Sequence, residues 1–171
     1  MKFNVSSLIK YQHKATTSFI LVFFAVLLIA GCNSNHYKDK KQLEADADSF
    51  ATYYFNWQFQ KAIPYCTPSS RKWLCYAASN VHSADINILR TKTDGASSHI
   101  HKIQFINDST ADVLCTVKDY VCMDTIGKAG RIIPQSLFRL SLVLHHHQWK
   151  IRMEGLPRSE KPDHGQNQGE R

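Results

Sequence analysis

The chain has 171 residues, of which 43% are hydrophobic and 20% are charged, and a formal net charge of +7. This length suits one domain with terminal segments and is enough to bury a hydrophobic core. The basic residues form no continuous block, so the composition does not indicate a nucleic-acid-binding protein. Three of the 21 basic residues and none of the 14 acidic residues precede Cys32, which leaves a net charge of only +4 for residues 32–171.

The N-terminal segment has the pattern of an export signal. Three lysines and no acidic residue precede an unbroken apolar run over residues 19–28, and this order is typical of a secretory signal peptide. The next residues, Ile29-Ala30-Gly31-Cys32, resemble the lipobox of bacterial lipoproteins, in which the chain is cut before an acylated cysteine. A retained transmembrane helix is the alternative, but the apolar run over residues 18–31 is shorter than the ~20 residues that span a bilayer.

This resemblance implies that residues 1–31 are a lipoprotein signal peptide and that Cys32 carries the lipid, palmitate included. The mature protein is then expected to be anchored to a membrane of the bacterial cell envelope through Cys32. It would face the periplasm or the cell surface. The polar residues 32–41 are predicted to form a tether.

Three helices are predicted after the tether. The first, over residues 41–55, is indicated by apolar residues that share one face at a period of 3.6: Leu43, Ala47, Phe50 and Tyr54. A short second helix over residues 59–63 must end before Pro64, because a residue before proline avoids the helical region. Thr67, followed by a proline, predicts the start of a third helix over residues 68–80, with the threonine hydroxyl as its N-cap.

Strands are predicted in the second half. A short, weakly alternating strand is expected over residues 85–89, and the polar residues 93–98 form a loop. Residues 100–106 and 111–122 are predicted to pair across a turn, with Tyr120 on the opposite face from Val117. Residues 123–134 form a loop.

A final hairpin is the clearest signal of the sequence. Two strands on either side of a turn of histidines alternate apolar and charged residues. One face of this hairpin is nearly all apolar and is expected to be buried against the helices. It comprises Phe138, Leu140, Leu142, Leu144, Trp149, Ile151 and Met153. A slip of one residue would bury arginines, so the register is firmly set. Residues 157–171 are polar and are predicted to be a disordered tail.

Helices followed by antiparallel strands predict an α+β fold. We expect three N-terminal helices packed on the concave face of a curved antiparallel sheet of four to five strands.

Two stretches of the sequence carry a resemblance to a known superfamily. Residues 50–62, FATYYFNWQFQKA, and residues 65–68, YCTP, resemble the opening of nuclear transport factor 2-like domains. They are closer still to small envelope lipoproteins of that superfamily that have no assigned function. Trp57-Gln58 stands where these domains usually have a glycine and an acid, and histidines replace the usual Asp-Gly turn before Trp149-Lys150-Ile151. The resemblance implies a cone-shaped domain over residues 42–156, a fold that hosts isomerases, dehydratases, binding modules and assembly proteins.

An enzyme of this fold would need a general base in the cone, typically an aspartate, with a tyrosine or a second acid to hold a developing oxyanion. The candidate acids are Asp48 and Asp119, and the candidate phenols are Tyr54 and Tyr120. No aspartate lies on the apolar faces of the final hairpin. We therefore assign no catalytic residue and expect no cofactor.

The histidines do not predict a metal site. His145, His146 and His147 are adjacent, and neighbouring residues on a strand point to opposite faces, whereas zinc needs three or four converging ligands. His99 and His101 share a strand face and are expected to be surface residues. We assign no metal ligands.

Six aromatic residues are candidates for the lining of an apolar pocket between helices and sheet: Tyr54, Trp57, Trp73, Tyr76, Phe138 and Trp149. Packing in the core is the alternative for each of them. The favoured function is a non-catalytic, lipid-anchored envelope domain that binds a small ligand or an envelope protein. The alternative is a small isomerase-like or dehydratase-like enzyme with a carboxylate base in the cone. A cone filled by its own aromatics favours the partner-binding module, and a deep cone with a buried carboxylate that faces a tyrosine favours the enzyme.

Four cysteines follow Cys32, and an exported protein is free to form disulfides. Cys66 and Cys75 are separated by a length of helix that exceeds disulfide spacing. Cys115 and Cys122 lie on opposite faces of one strand. Any bridge must therefore join the helical half to the sheet, and we expect Cys66–Cys115, with two buried free thiols as the alternative.

Overall fold

The computed structural model of the protein describes residues 39–123 and 129–160. The chain divides into two compact units, Met1–Lys41 and Gln42–Arg171, and the structure describes residues 39–41 of the first. The predicted signal peptide, most of the predicted tether and the end of the predicted tail lie outside the described residues.

Helices come first and strands follow. The helical part comprises α1 (residues 39–55), α2 (Phe59–Ala62), 3-10 turns at Ile63–Tyr65 and Pro68–Ser70, α3 (Arg71–Ser79) and α4 (Ser83–Thr91). The strands are β1 (Ser97–Asn107), β2 (Thr110–Cys122), β3 (Arg131–His145) and β4 (Gln148–Ile151). The predicted α+β class is confirmed: helices precede a curved, four-stranded antiparallel sheet.

The first two helices form where the sequence predicts them. The inward face of α1 is buried and comprises Leu43, Ala47, Phe50, Ala51 and Tyr54, as its period of 3.6 requires. α2 ends at Ala62, before Pro64, and the proline is accommodated in the 3-10 turn that follows.

The start of α3 differs in detail from the predicted cap. The Thr67 side chain makes no capping bond to a backbone amide. Its hydroxyl instead contacts the Ser70 hydroxyl at 2.7 Å and the Ser69 hydroxyl at 3.1 Å, and a 3-10 turn precedes the α-helix. The predicted location of the helix is confirmed, but not the predicted role of the threonine.

The predicted strand over residues 85–89 is wrong, because these residues belong to a fourth helix, α4. Asp85 explains the difference: its carboxylate accepts the backbone N–H of His82 at 2.9 Å and so caps the first helical turn. The same carboxylate accepts the backbone N–H of Gly130 at 2.6 Å. Ile86 and Leu89 then lie three residues apart on one helical face.

The sheet has the order β1-β2-β3-β4, and all neighbours are antiparallel. Leu142 lies opposite Ile151, and both are buried, so the predicted register of the final hairpin is confirmed. Trp149 is also buried, as predicted, but Leu144, next to the turn on the same predicted face, is 40% exposed, so that face is not buried over its whole length. β1 contains two register shifts, after Ile100 and after Phe105, and such irregularities increase the twist of a sheet.

β3 begins at Arg131 and therefore includes residues that were predicted to be loop. Pro134 of β3 has no N–H to donate to a neighbouring strand. The pairing of β2 with β3 is interrupted at Asp119, whose φ is 52°. Beyond this interruption Tyr120 faces the core, with its ring 5.5 Å from that of Phe55. The prediction that Tyr120 lies on the opposite face from Val117 is therefore wrong, since both residues are buried in the core.

The predicted tail starts too early. Ser159 pairs with Phe138 as an isolated antiparallel bridge, and the Glu160 backbone N–H donates to the Leu137 carbonyl at 2.8 Å. The Glu160 carboxylate also accepts from Arg139 at 2.9 Å. This contact is possible because β4 ends at Ile151 and leaves that part of the β3 edge open. The ordered domain thus continues to residue 160 rather than ending at 156.

Candidate functional site

The space between α1 and the sheet is filled by the protein's own aromatic rings. Tyr54 stacks on Phe50 at 5.4 Å between ring centroids and meets Phe59 edge-on at 5.7 Å. Phe55 lies 4.5 Å from Phe138. Burial raises the pKa of Tyr54 above its usual value of 10.0, so its phenol stays neutral at any physiological pH. Three of the six candidate lining residues, Tyr54, Phe138 and Trp149, are part of the buried core.

An open cavity of about 520 Å³ lies among the later helices. Its described lining comes from the end of α1, from α2, α3 and α4 and from the turns beside them, and is mostly apolar: Trp57, Phe59, Ile63, Leu74, Ala78, Val81, Ile86 and Leu89. The polar groups among the described lining residues are the amide of Gln60 and the thiol of Cys75, and none of these residues is charged. Cys75 and Ile86 are exposed.

Trp57 is held in this cavity wall by an unusual backbone. Its φ is 60°, in the left-handed region that costs bulky side chains energy. The Trp57 N–H donates to the Tyr54 carbonyl at 3.0 Å, and the Gln58 N–H donates to the Tyr53 carbonyl at 2.8 Å. These two bonds form a Schellman motif that ends α1, with Trp57 at the position that glycine usually occupies. Trp57 is also the residue that stands where the domains it resembles in sequence usually have a glycine.

Neighbouring contacts fix the position of the Trp57 side chain. Its indole N–H donates to the Val121 carbonyl at 3.1 Å. The preceding Asn56 accepts from the Ala96 backbone N–H at 2.8 Å and donates to the Ala96 carbonyl at 2.9 Å. A methyl group at Gly95 would lie 2.6 Å from the Asn56 side-chain oxygen, so this contact requires a glycine. The end of α1 is thereby joined to β2 and to the segment before β1.

Trp73, Tyr76 and Trp149 do not line the cavity. Trp73 and Tyr76 are neighbours on α3, with ring centroids 6.4 Å apart, and Tyr76 is 53% exposed. Trp149 is buried and meets Phe105 at 5.8 Å. Of the six residues proposed from the sequence, Trp57 is the one that lines the cavity among the described residues.

The aliphatic part of the lining was not anticipated from the sequence. Ile86 and Leu89 were assigned to a strand, so their common face could not be placed beside α3. Their spacing of three residues, shortly after the acidic residue Asp85, was the sequence pattern that could have indicated a helix.

Neither candidate catalytic acid is buried. Asp48 is exposed and accepts from the Ser98 hydroxyl at 2.7 Å, and Asp119 is exposed. Among the described residues the buried carboxylate is that of Asp85, and its two oxygens accept backbone N–H groups. The buried acid therefore has a structural role: it holds two backbone amides.

The histidines lie at turns and on the sheet surface. His146 and His147 form the β3–β4 turn with φ values of 49° and 61°. The His101 ring lies 4.9 Å from that of His99 and shares a 2.6 Å hydrogen bond with the Thr116 hydroxyl. Over the described ranges, no three histidine, cysteine or acidic side chains are grouped so that they would hold a metal ion.

The four described cysteines are free thiols, so the expected Cys66–Cys115 disulfide is not formed in the structure. The backbone of Cys66 pairs with that of Ile151 along the outer edge of β4. Cys115 lies in β2, so β3 and β4 stand between the two cysteines. Three strand spacings amount to about 14 Å, well beyond the ~6.8 Å limit for the Cα atoms of a disulfide. Burial raises the pKa of Cys66 to about 12 and that of Cys115 to about 11.

The predicted lipid attachment site, Cys32, lies outside the described residues. Within residues 39–123 and 129–160, the structure contains no helix that is both long and apolar enough to cross a membrane.

Comparison with known protein families gives no match to this sequence, and comparison with curated proteins gives none either. Among solved structures, the chain is similar to an Ntf2 like protein involved in plasmid conjugation, with 14% sequence identity and a TM-score of 0.33. The alignment covers 71% of this chain and 50% of that protein, so this chain spans about half the length of the protein that it matches. The α+β assignment accordingly rests on the elements and topology described above.

Proposed function

We propose that this chain is a non-catalytic, lipid-anchored domain of the bacterial cell envelope that binds a small apolar ligand in the cavity among α2, α3 and α4. The observation that carries the proposal is the cavity itself. Its volume of about 520 Å³ falls within the ~300–1,000 Å³ of small-molecule sites, which are mostly apolar with a few polar groups.

The chemistry of the lining defines what the cavity accepts. An apolar ligand gains about 25 cal/mol for each Å² of surface that it removes from water. A charged group would lose its hydration and would meet no opposite charge among the described lining residues. The lining therefore favours an uncharged ligand whose polar groups, if it has any, lie beside Gln60 or Cys75.

A binding role is favoured over catalysis by what occupies the rest of the domain. The space between α1 and the sheet is filled by rings such as Phe55 and Phe138. The buried carboxylate, Asp85, is bonded to two backbone amides. An isomerase-like or dehydratase-like reaction would need an acid beside a substrate space, and no observation specifically supports that alternative.

The anchoring part of the proposal is supported by the sequence Ile29-Ala30-Gly31-Cys32 after an apolar run. It is tested by replacing Cys32 with serine and measuring incorporation of radiolabelled palmitate and recovery in the membrane fraction. Both should be lost, whereas Cys75→Ser, the matched control, should retain both. Normal labelling of Cys32→Ser would refute the anchor.

Ligand binding is tested by the reactivity of Cys75 at the cavity. The exported protein, in isolated membranes, is treated with iodoacetamide, and alkylation of Cys75 is followed by mass spectrometry with and without two uncharged probes, decanol and N-phenylnaphthylamine. A bound probe should slow alkylation of Cys75 in proportion to occupancy. Alkylation of Cys122, which is outside the described lining, should not change.

Two variants complete the test. Ala78→Trp places a large ring in the cavity and should abolish protection of Cys75, whereas Ser79→Trp, on the next residue outside the described lining, should retain it. Failure of both probes to slow alkylation of Cys75 in the unsubstituted protein would refute the proposed binding site.

A further inference from the structure

Trp57 combines an energetic cost with a position in the cavity wall. Its φ of 60° places a large aromatic residue where a glycine would be unstrained. Strained residues persist only where the surrounding structure holds them, and they cluster at functional sites. Here the indole hydrogen bond to Val121 and the paired bonds between Asn56 and Ala96 hold the segment in place.

Trp57 presents a flat aromatic surface to the cavity together with a second ring. The rings of Trp57 and Phe59 are inclined by only 26°, with centroids 6.4 Å apart, and both residues line the cavity. Because the indole N–H is already bonded to the protein, what remains for a ligand is the apolar ring itself. Such surfaces prefer offset-stacked or edge-on aromatic partners.

We propose that Trp57 is a specificity-determining ligand contact, which is kept in a left-handed conformation so that the cavity selects uncharged molecules with a flat ring system over aliphatic chains of similar size. This inference rests on the proposed function, because it names the ligand class of the same cavity. The strained backbone at the end of α1 sets the position of the ring.

The ligand preference is tested with the Cys75 alkylation assay. Half-protecting concentrations of N-phenylnaphthylamine and of decanol are compared in the unsubstituted protein, Trp57→Leu and Trp57→Phe. Trp57→Leu keeps an apolar side chain but removes the ring, and should raise the half-protecting concentration of N-phenylnaphthylamine about tenfold while changing that of decanol less than about twofold. Trp57→Phe restores a flat ring without the indole N–H and should recover most of the lost affinity.

Trp57→Gly separates a ligand-binding role from a packing role. Glycine removes the ring but relieves the left-handed strain, so the melting temperature should stay within about 4 °C of the unsubstituted protein while protection by N-phenylnaphthylamine is lost. A melting temperature lower by more than about 10 °C would identify Trp57 as a packing residue and overturn the inference.

The outcomes distinguish this inference from the proposed function. Protection of Cys75 by decanol alone, or equal protection by N-phenylnaphthylamine in the unsubstituted protein and in Trp57→Leu, overturns the role of Trp57 and leaves the binding site standing. Absence of protection by either probe in the unsubstituted protein overturns both proposals.

Discussion

Asp85 should be the side chain that holds α4 against the rest of the domain. Replacing it with alanine leaves the Gly130 N–H buried without its acceptor, which costs about 1–3 kcal/mol, and removes the cap on the His82 N–H, which costs about 0.5–2 kcal/mol. Because these bonds join one carboxylate to two separate segments, the losses add, and Asp85→Ala should lower the free energy of unfolding by about 1.5–5 kcal/mol.

The measurement is equilibrium unfolding in denaturant, with Asp48→Ala as the matched control. Asp48 is an exposed aspartate that accepts a hydrogen bond from Ser98, and its replacement should cost less than about 1 kcal/mol. Gly130→Ala is a second probe, since a methyl group there would lie 2.7 Å from the Cys122 carbonyl and 3.1 Å from the Asp85 carboxylate. It should be destabilising with Asp85 intact.

The same variant has a consequence for the cavity. Ile86 and Leu89 of α4 form part of its lining, so a loosened α4 should weaken protection of Cys75 by an apolar probe several-fold in Asp85→Ala. A loss of unfolding free energy below about 1 kcal/mol would refute the reasoning, because it would mean that α4 is held by other contacts.

Three further predictions concern stability. Trp149→Ala should cost about 3–5 kcal/mol in the free energy of unfolding, since Trp149 is only 4% exposed; a loss below about 1 kcal/mol in a denaturant titration would contradict its burial. The double substitution His146→Asn and His147→Gly should raise the free energy of unfolding by about 1 kcal/mol, because both positions have positive φ and Asn-Gly suits such a hairpin turn; an unchanged midpoint would show that the histidines carry no strain. Stability should fall as the pH rises from about 9 towards 11, because the unfolded chain releases the Cys66 proton near 9.0 while the folded chain keeps it to about 12. The slope is at most ~1.4 kcal/mol per pH unit for this thiol, and Cys66→Ala should make the decline shallower; an equal decline in both proteins would contradict the raised pKa.

The features that were predictable from the sequence depend on local patterns. The period of α1 and the alternation of β3 and β4 each determine a buried face from neighbouring residues alone, and Trp149 and Ile151 are buried as predicted. Pro64 ends α2 by a steric effect on the adjacent residue. These signals do not require knowledge of which distant segments meet.

The features that were missed depend on distant pairs. α4 owes its position to a bond between Asp85 and Gly130, and the alternation of two isoleucines gave no sign of it. Tyr120 faces the core just beyond Asp119, where the β2–β3 pairing is interrupted and φ is 52°. The cavity needs α4 for one wall, so an error in one short element also concealed the cavity.

The ends of the sheet have a consequence for how copies of this protein share a crowded surface. The Thr67 N–H donates to the Ile151 carbonyl at 2.9 Å, so the chain itself covers part of the outer edge of β4, and the opposite edge strand, β1, is interrupted by two register shifts. Uncovered, regular edges recruit strands from neighbouring molecules, and tethering to one membrane, as proposed here, raises the local concentration of neighbours. Both edges therefore disfavour strand pairing between molecules, so copies anchored close together should not associate through their sheets.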